Sequence, residues 1–276
     1  MTINKTLTHK KTLPFLRWAG GKKWLKKDIN DLLPRNGFNS YHEVFLGGGA
    51  IFFHLEPKQM IFLNDLNQEL IDTYRTVKTN VESVINELKK FENTEEFYYY
   101  IRAKKYRLDS RRAAQFIFLN QTSFNGIYRV NLQGQYNVPY GFRTKNFLEP
   151  ENLRKVSESL QKAQFSNGDF SRTIDNVCKG DLVFLDPPYT ITHNNNGFLK
   201  YNQKLFSEND QYRLSKMIDQ IKEKEAFYIL TNAAHFKVKE IFDKGDRVLK
   251  MKRASLVGGT NAKRGKYSEY VFTNCF

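Results

Sequence analysis

The sequence predicts an α/β protein, a mainly parallel sheet covered on both faces, whose middle is interrupted by an inserted, mostly helical subdomain carrying a β-hairpin. Three observations predict it. Strand-like apolar runs with helical patterns between them fill both ends of the chain. From about Val77 to Gln121 the pattern is instead helical and charge-rich, with Lys104-Lys105, Arg107 and Arg111-Arg112. Ser123–Gly141 then follows, rich in Asn, Gly and aromatic residues, and reads as a hairpin or tightly turned loop. The insertion is placed at 76–155, leaving 1–75 and 156–276 for the α/β part.

In chain order, Tyr41–Leu46 and Met60–Asp65 read as strands, with a short helix over Ala50–Leu55 between them. Asp181–Asp186, Phe227–Asn232, Arg247–Lys252 and Tyr270–Asn274 supply further strands. Ser207–Lys224 reads as a helix. Ser207 can cap it with Asp210 at the third position, and Leu214, Met217, Ile218 and Ile221 recur at helical spacing.

The totals set bounds. A chain of 276 residues with 40% hydrophobic residues has room for a real core. Lys and Arg outnumber Asp and Glu by 44 to 29, a net charge of +15, which points to a polyanionic partner such as nucleic acid. A membrane surface is the rival, but no apolar run approaches the roughly 20 residues that span a bilayer. The first residues, Met1 to Lys11, lack the apolar core of a signal peptide. Cys178 and Cys275 are the only cysteines, and their spacing suits neither a disulfide framework nor a zinc site. A reducing cytoplasm and no metal are expected.

Asp186-Pro187-Pro188-Tyr189 is the sharpest motif. A carboxylate, a backbone stiffened by two prolines and a ring close a buried strand, at the sheet edge where ligands bind in open α/β folds. The ring can stack on a flat base, and Asp186 and the rigid carbonyls can accept hydrogen bonds from an exocyclic amine. Glu43-Val-Phe45-Leu-Gly47-Gly-Gly-Ala50 runs from a strand through a glycine turn into a helix. Asp65, at the end of the next strand, suits the ribose hydroxyls of a nucleotide-like cofactor. Phe15-Leu-Arg-Trp18-Ala-Gly-Gly-Lys22 sets a ring and a lysine around a Gly-Gly turn; Lys22 can face a carboxylate and Trp18 can cover an apolar or cationic group. Ser166-Asn-Gly-Asp169-Phe170 reads as a turn bearing a carboxylate and a ring. Asn125, Arg129 and Asn131, within Asn120–Asn131, are residue types that read base edges.

In this order, Arg17–Lys22, Glu43–Ala50, Asn64-Asp65, Phe124–Asn131, Asn137–Gly141, Gly168–Phe170 and Asp186–Tyr189 resemble the Dam-type DNA adenine-N6 methyltransferases, in their alpha-class arrangement. The likeness runs from about Phe15 to the end of the chain. It implies a Rossmann-like, S-adenosylmethionine-dependent methyltransferase core, with 76–155 as the target-recognition subdomain. It implies methyl transfer to N6 of a flipped-out adenine in double-stranded DNA, with GATC as a candidate site. Trp18, Lys22, Phe45, Gly47, Asp65, Asp169, Phe170 and Asp186 are implied as cofactor neighbours. Asp186, Pro187 and Tyr189 are implied as catalytic, and Asn125, Ile127, Arg129 and Asn131 as DNA-binding. A monomer or weak dimer in a bacterial, archaeal or phage-infected cell is expected.

Two basic clusters fit phosphate contacts: Arg102–Arg112, and Lys250, Lys252, Arg253, Lys263, Arg264 and Lys266. The loop His193–Gly197, close after Tyr189, is expected to order with substrate. The same chemistry on RNA or at another DNA site is the rival enzyme reading. A non-catalytic DNA-binding relative is the rival from another class.

Overall fold

The structure, a computed structural model, describes residues 11–131, 133–189, 206–254 and 266–276. The loop His193–Gly197 and the basic pair Lys263 and Arg264 lie outside them. The chain divides into two compact units. One comprises Lys22–Gly47, Pro57–Ile71 and Lys162–Phe276, and holds the sheet. The other comprises the N-terminal segment to Gly21, Gly48–Glu56 and Asp72–Gln161.

Among the described residues the sheet has seven strands: β1 (Ser40–Glu43), β2 (Met60–Asp65), β3 (Ala163–Asn167), β4 (Leu182–Leu185), β5 (Phe227–Ala233), β6 (Arg247–Ala254) and β7 (Lys266–Thr273), in the order β3-β2-β1-β4-β5-β7-β6. Neighbours from β3 to β5 are parallel, and β7 runs antiparallel between β5 and β6. From β1 the chain moves outward through β2 to β3, then returns to the other side of β1 as β4. Strand order therefore reverses between β1 and β4, and their carboxyl ends border the crevice where open α/β sheets bind ligands.

One apolar core lies against β4 and β5. Val183, Leu185, Tyr228 and Leu230 meet Leu214, Met217, Ile218 and Ile221 of the helix Glu208–Glu223. That helix starts as its sequence predicts. The Ser207 hydroxyl accepts the Asp210 amide at 3.2 Å, and the Asp210 carboxylate accepts the Ser207 amide at 2.8 Å.

β3 departs from the sequence reading. Ser166 and Asn167, read as part of a turn, finish this strand, and the turn begins at Gly168. Its residues Ala-Gln-Phe-Ser-Asn alternate apolar and polar at the edge of the sheet, so no continuous apolar run announces it.

Beneath the carboxyl ends, β1 carries a buried polar pair. His42 Nε2 lies 2.9 Å from Asp181 Oδ2, and its ring stacks on Phe62 at 4.6 Å. Asp181 also accepts the Ser40 and Cys178 amides, both at 2.9 Å. An ionised Asp181 can only accept, so His42 donates from Nε2, and its Nδ1 has no partner among the described residues. Burial holds the His42 pKa below its ordinary 6.5, with Asp181 opposing. A depressed folded-state pKa means that the unfolded chain binds the proton first. The contribution of His42 to stability is therefore present above pH 6.5 and is lost as pH falls toward the folded-state value. Thermal melting across that range should show the decline, and His42→Gln should flatten it. An unchanged slope in the variant would remove His42 from the account.

The second unit contains α-helices over Phe52–Leu55, Glu95–Ala103, Asp109–Thr122 and Pro150–Ser159. The helix Gln68–Leu88 begins in the sheet unit and continues into this one. Thr94 caps Glu95–Ala103 by accepting the Phe97 amide at 3.2 Å. Where the sequence reading places a hairpin, the described residues form two isolated antiparallel bridges, Ser123↔Tyr140 and Val130↔Tyr136. No helix among the described residues is long and apolar enough to cross a membrane.

Candidate active site

Parallel strands deliver their carboxyl ends to one edge of the sheet, and the predicted residues of this unit gather there. Phe45 and Gly47 follow β1, Asp65 ends β2, Asp169 and Phe170 follow β3, and Asp186 follows β4.

Asp186 is the centre of a fixed polar cluster. Lys22, only 3% exposed, places Nζ 2.7 Å from Asp186 Oδ1. Thr231 of β5 is fully buried and donates its hydroxyl to the same oxygen at 2.9 Å. Asp186 Oδ2 has no hydrogen-bond donor among the described residues. The carboxylate is thus oriented through one oxygen. Burial pushes the Asp186 pKa above 3.8, while Lys22 and the Thr231 hydroxyl work against that rise.

Tyr189 belongs to the same cluster. Its hydroxyl donates to Glu269 Oε2 at 2.5 Å, and Lys22 Nζ stands 4.7 Å from its ring centroid. Burial, followed by the nearby Asp186 and Glu269 carboxylates, pushes its pKa well above 10, so the phenol stays a donor.

Asp65 accepts the Gly47 amide at 2.8 Å through Oδ2 and the Asn67 amide at 2.9 Å through Oδ1. Burial raises its pKa, and these backbone donors oppose the rise. Asn64 ties the neighbouring turns together, donating to the Val44 carbonyl at 3.1 Å and the Gly168 carbonyl at 3.3 Å. Phe45 and Phe170 pack with centroids 5.6 Å apart, and Phe206 completes the group at 5.8 and 5.7 Å. Burial pushes the Asp169 carboxyl up, but the Arg213 guanidinium at 2.7 Å and the Ser171 hydroxyl and amide outweigh it and hold the pKa at about 2.

In the helical unit, Trp18 stacks on Tyr128 with centroids 5.8 Å apart and planes 19° apart. Tyr128 in turn meets Phe116 and Tyr136. The hairpin is seated by close backbone approaches. Gly126 has φ +63°, and a Cβ there would collide with the Arg17 side chain. A Cβ on Gly141 would fall 2.5 Å from the Ser123 carbonyl oxygen. Asn120 exchanges two 2.7 Å hydrogen bonds with the Arg17 backbone.

Asn125 is exposed and takes a left-handed φ of 54°. Ile127 is half-buried, and its carbonyl accepts the Tyr136 hydroxyl at 2.9 Å. Arg129 is exposed, with Nε 2.8 Å from Asn137 Oδ1 and Nη2 3.2 Å from the Asn137 carbonyl. Asn131 closes the tip, its Oδ1 accepting the Gln133 and Gln135 amides at 3.0 and 2.9 Å.

Sequence reasoning missed Thr231, Glu269, Phe206 and Arg213 in the sheet unit; in the helical unit Tyr128 and Asn137 lay within the quoted motifs Phe124–Asn131 and Asn137–Gly141 without an assigned role. Thr231 carried one usable signal, a polar residue directly after the apolar, β-forming run Phe227–Leu230, whereas Glu269 follows Lys266-Tyr-Ser and carried none.

A family model described as D12 class N6 adenine-specific DNA methyltransferase matches residues 18–256. The chain is 35% identical over 272 residues to the type II methyltransferase M1.LlaDCHI of Lactococcus lactis subsp. cremoris, with 95% of each chain covered. It is 35% identical over 242 residues to the type II methyltransferase M.MjaIII of Methanocaldococcus jannaschii, covering 80% of this chain and 84% of the other. A DNA adenine methylase of Escherichia coli K12 is 29% identical over 262 residues, covering 92% and 93%.

Proposed function

The chain belongs to the D12 class of N6 adenine-specific DNA methyltransferases, and from that premise we propose that it transfers a methyl group from S-adenosylmethionine to a flipped-out adenine in duplex DNA. The observation that carries this reading is Asp186, fixed through Oδ1 by Lys22 and Thr231, with Lys22 also set over the Tyr189 ring.

The residues at the carboxyl edge fit the proposed donor. Asp65 accepts the Gly47, Asn67 and Leu66 amides, which leaves its carboxylate acceptor capacity for one ribose hydroxyl. Phe45, partly buried against Phe170 and Phe206, offers apolar surface at this edge, and the carboxylates of Asp65 and Asp186 suit a cationic ligand. Lys22, Phe45, Gly47, Asp65, Asp169, Phe170 and Asp186 are assigned to that ligand. S-adenosylmethionine, when bound, supplies an electrophilic methyl group on a positively charged sulfur.

The chemistry left to the protein is orientation. Adenine N6 is a weak nucleophile because its lone pair is delocalised into the ring. Asp186 Oδ2 and the Pro187 carbonyl accept the two N6 hydrogens, hold the nitrogen in line and favour its more tetrahedral form. Tyr189 offers the face on which the base stacks once it leaves the duplex, an exit that costs roughly a few kcal/mol. No strong base is required: N6 becomes acidic on methylation and its proton leaves afterwards.

Residues 76–155 are assigned to target recognition, through Asn125, Ile127, Arg129 and Asn131. Lys104, Lys105, Arg107, Arg111 and Arg112 are exposed and are assigned to phosphates.

The test is incubation with labelled S-adenosylmethionine and either unmethylated duplex DNA or RNA of mixed sequence at low salt. Label is expected in DNA alone. Absence of transfer to DNA would sink the reading, and equal transfer to RNA would move the substrate. Duplex affinity should fall with salt at a log-log slope of roughly 0.9 per neutralised phosphate, and a flat dependence would remove the assigned phosphate contacts.

A further inference from the structure

Glu269 has no part in the chemistry above, yet it is a carboxylate only 2% exposed on β7, where burial of charge is costly unless it is well partnered. Its backbone pairs with Ala233, two residues beyond Thr231 on β5, so the Glu269 and Thr231 side chains leave the same face of the sheet. There it accepts the Tyr189 hydroxyl at 2.5 Å, the short end of the range for a hydroxyl bound to a carboxylate. The Thr231 hydroxyl interacts with the same phenol, and Glu269 is close enough to Asp186 to influence its charge.

Tyr189 is therefore held at both ends. Its backbone follows the stiff Pro187-Pro188 pair, and its hydroxyl is tied to a buried strand. A ring attached only through the backbone would keep its rotamer freedom until a base arrived. Resting on the assignment of Tyr189 as the base-stacking ring, we propose that Glu269 is a positioning residue for methyl transfer, holding the Tyr189 hydroxyl so that the ring plane is set before the flipped adenine reaches it. The bond has a second consequence. A phenol that donates to a carboxylate carries more electron density in its ring. Methylation places positive charge on the base, and an electron-rich face beside it is favourable.

The test uses the full chain with Glu269→Gln, Glu269→Ala, Tyr189→Phe and Tyr189→Ala, together with the Glu269→Ala/Tyr189→Phe double variant. Single-turnover methyl transfer, duplex affinity, S-adenosylmethionine affinity and melting temperature are measured separately. A duplex with 2-aminopurine at the target position reports stacking of the flipped base. Glu269→Ala is expected to slow single turnover roughly tenfold or more, with both affinities held within about twofold. Glu269→Gln, which keeps an acceptor, should fall between it and the wild type. The double variant should be no slower than its slower parent, because both changes cut one connection. The 2-aminopurine signal of the flipped state should shift in Glu269→Ala and Tyr189→Phe alike.

Wild-type turnover in a well-folded Glu269→Ala, or losses that multiply in the double variant, would overturn the proposal. If Glu269→Ala does not fold, Glu269→Gln and Tyr189→Phe decide, and full rates in both overturn it. Full activity in Tyr189→Ala would instead defeat the assignment of Tyr189 itself. A slow Tyr189→Ala beside fast Tyr189→Phe and Glu269→Gln would defeat the role of Glu269 alone.

Discussion

Asp186→Ala should lower single-turnover methyl transfer by roughly a thousandfold, the scale on which a preorganised acceptor at the reacting atom contributes. The change removes the acceptor for N6 and leaves Lys22, a cation 3% exposed, without its 2.7 Å partner. That second effect is a stability cost, on the order of 3–5 kcal/mol for breaking a buried pair. Asp186→Asn separates the two. It keeps an oxygen acceptor and the volume, loses the charge, and should retain more activity than alanine with a smaller fall in melting temperature. Duplex affinity should survive in both, since the residues assigned to phosphates and to target recognition lie elsewhere in the chain. Near full turnover in Asp186→Ala would remove this carboxylate from the reaction.

Arg129→Ala carries the second large effect. The guanidinium is exposed and held on one side by two bonds to Asn137, so its fork is presented in a fixed orientation. Such a fork suits the paired acceptors of a guanine in the major groove. Losing it should cost about 1–3 kcal/mol against the cognate site, with the loss confined to one base pair. Asn137→Ala should produce a weaker form of the same defect, because it releases the fork without deleting it. The measurement is methylation of a library of duplexes, sequenced with single-base detection of N6-methyladenine. A GATC pattern in the wild type would support the hairpin correspondence. A uniform drop across all sequences in Arg129→Ala would reassign it to phosphate.

How much was legible in the sequence follows from where the determinants lie. Met60–Asp65 could be read because a continuous apolar run marks a strand buried in a parallel sheet. The helix after Ser207 could be read because its capping box and apolar stripe are local. β3 could not, since its alternating polar residues occupy a sheet edge. The site divides in the same way. Asp186, Tyr189, Lys22 and Asp65 stand in short motifs whose residue types state their chemistry. Thr231 and Glu269 acquire meaning only when β5 and β7 pair, because that register carries Glu269 to the Tyr189 hydroxyl. Asn137 likewise gains a role only when the hairpin closes and brings it to Arg129.

In the proposed reaction Asp186 and its neighbours direct methyl transfer to adenine N6. The direct measurement is nucleoside analysis of duplex DNA after treatment with labelled S-adenosylmethionine and either the wild-type chain or Asp186→Ala. Label on N6-methyldeoxyadenosine with the wild type, and almost none with the variant, is the predicted result. Label on another atom or another base, or equal label from both proteins, would contradict it.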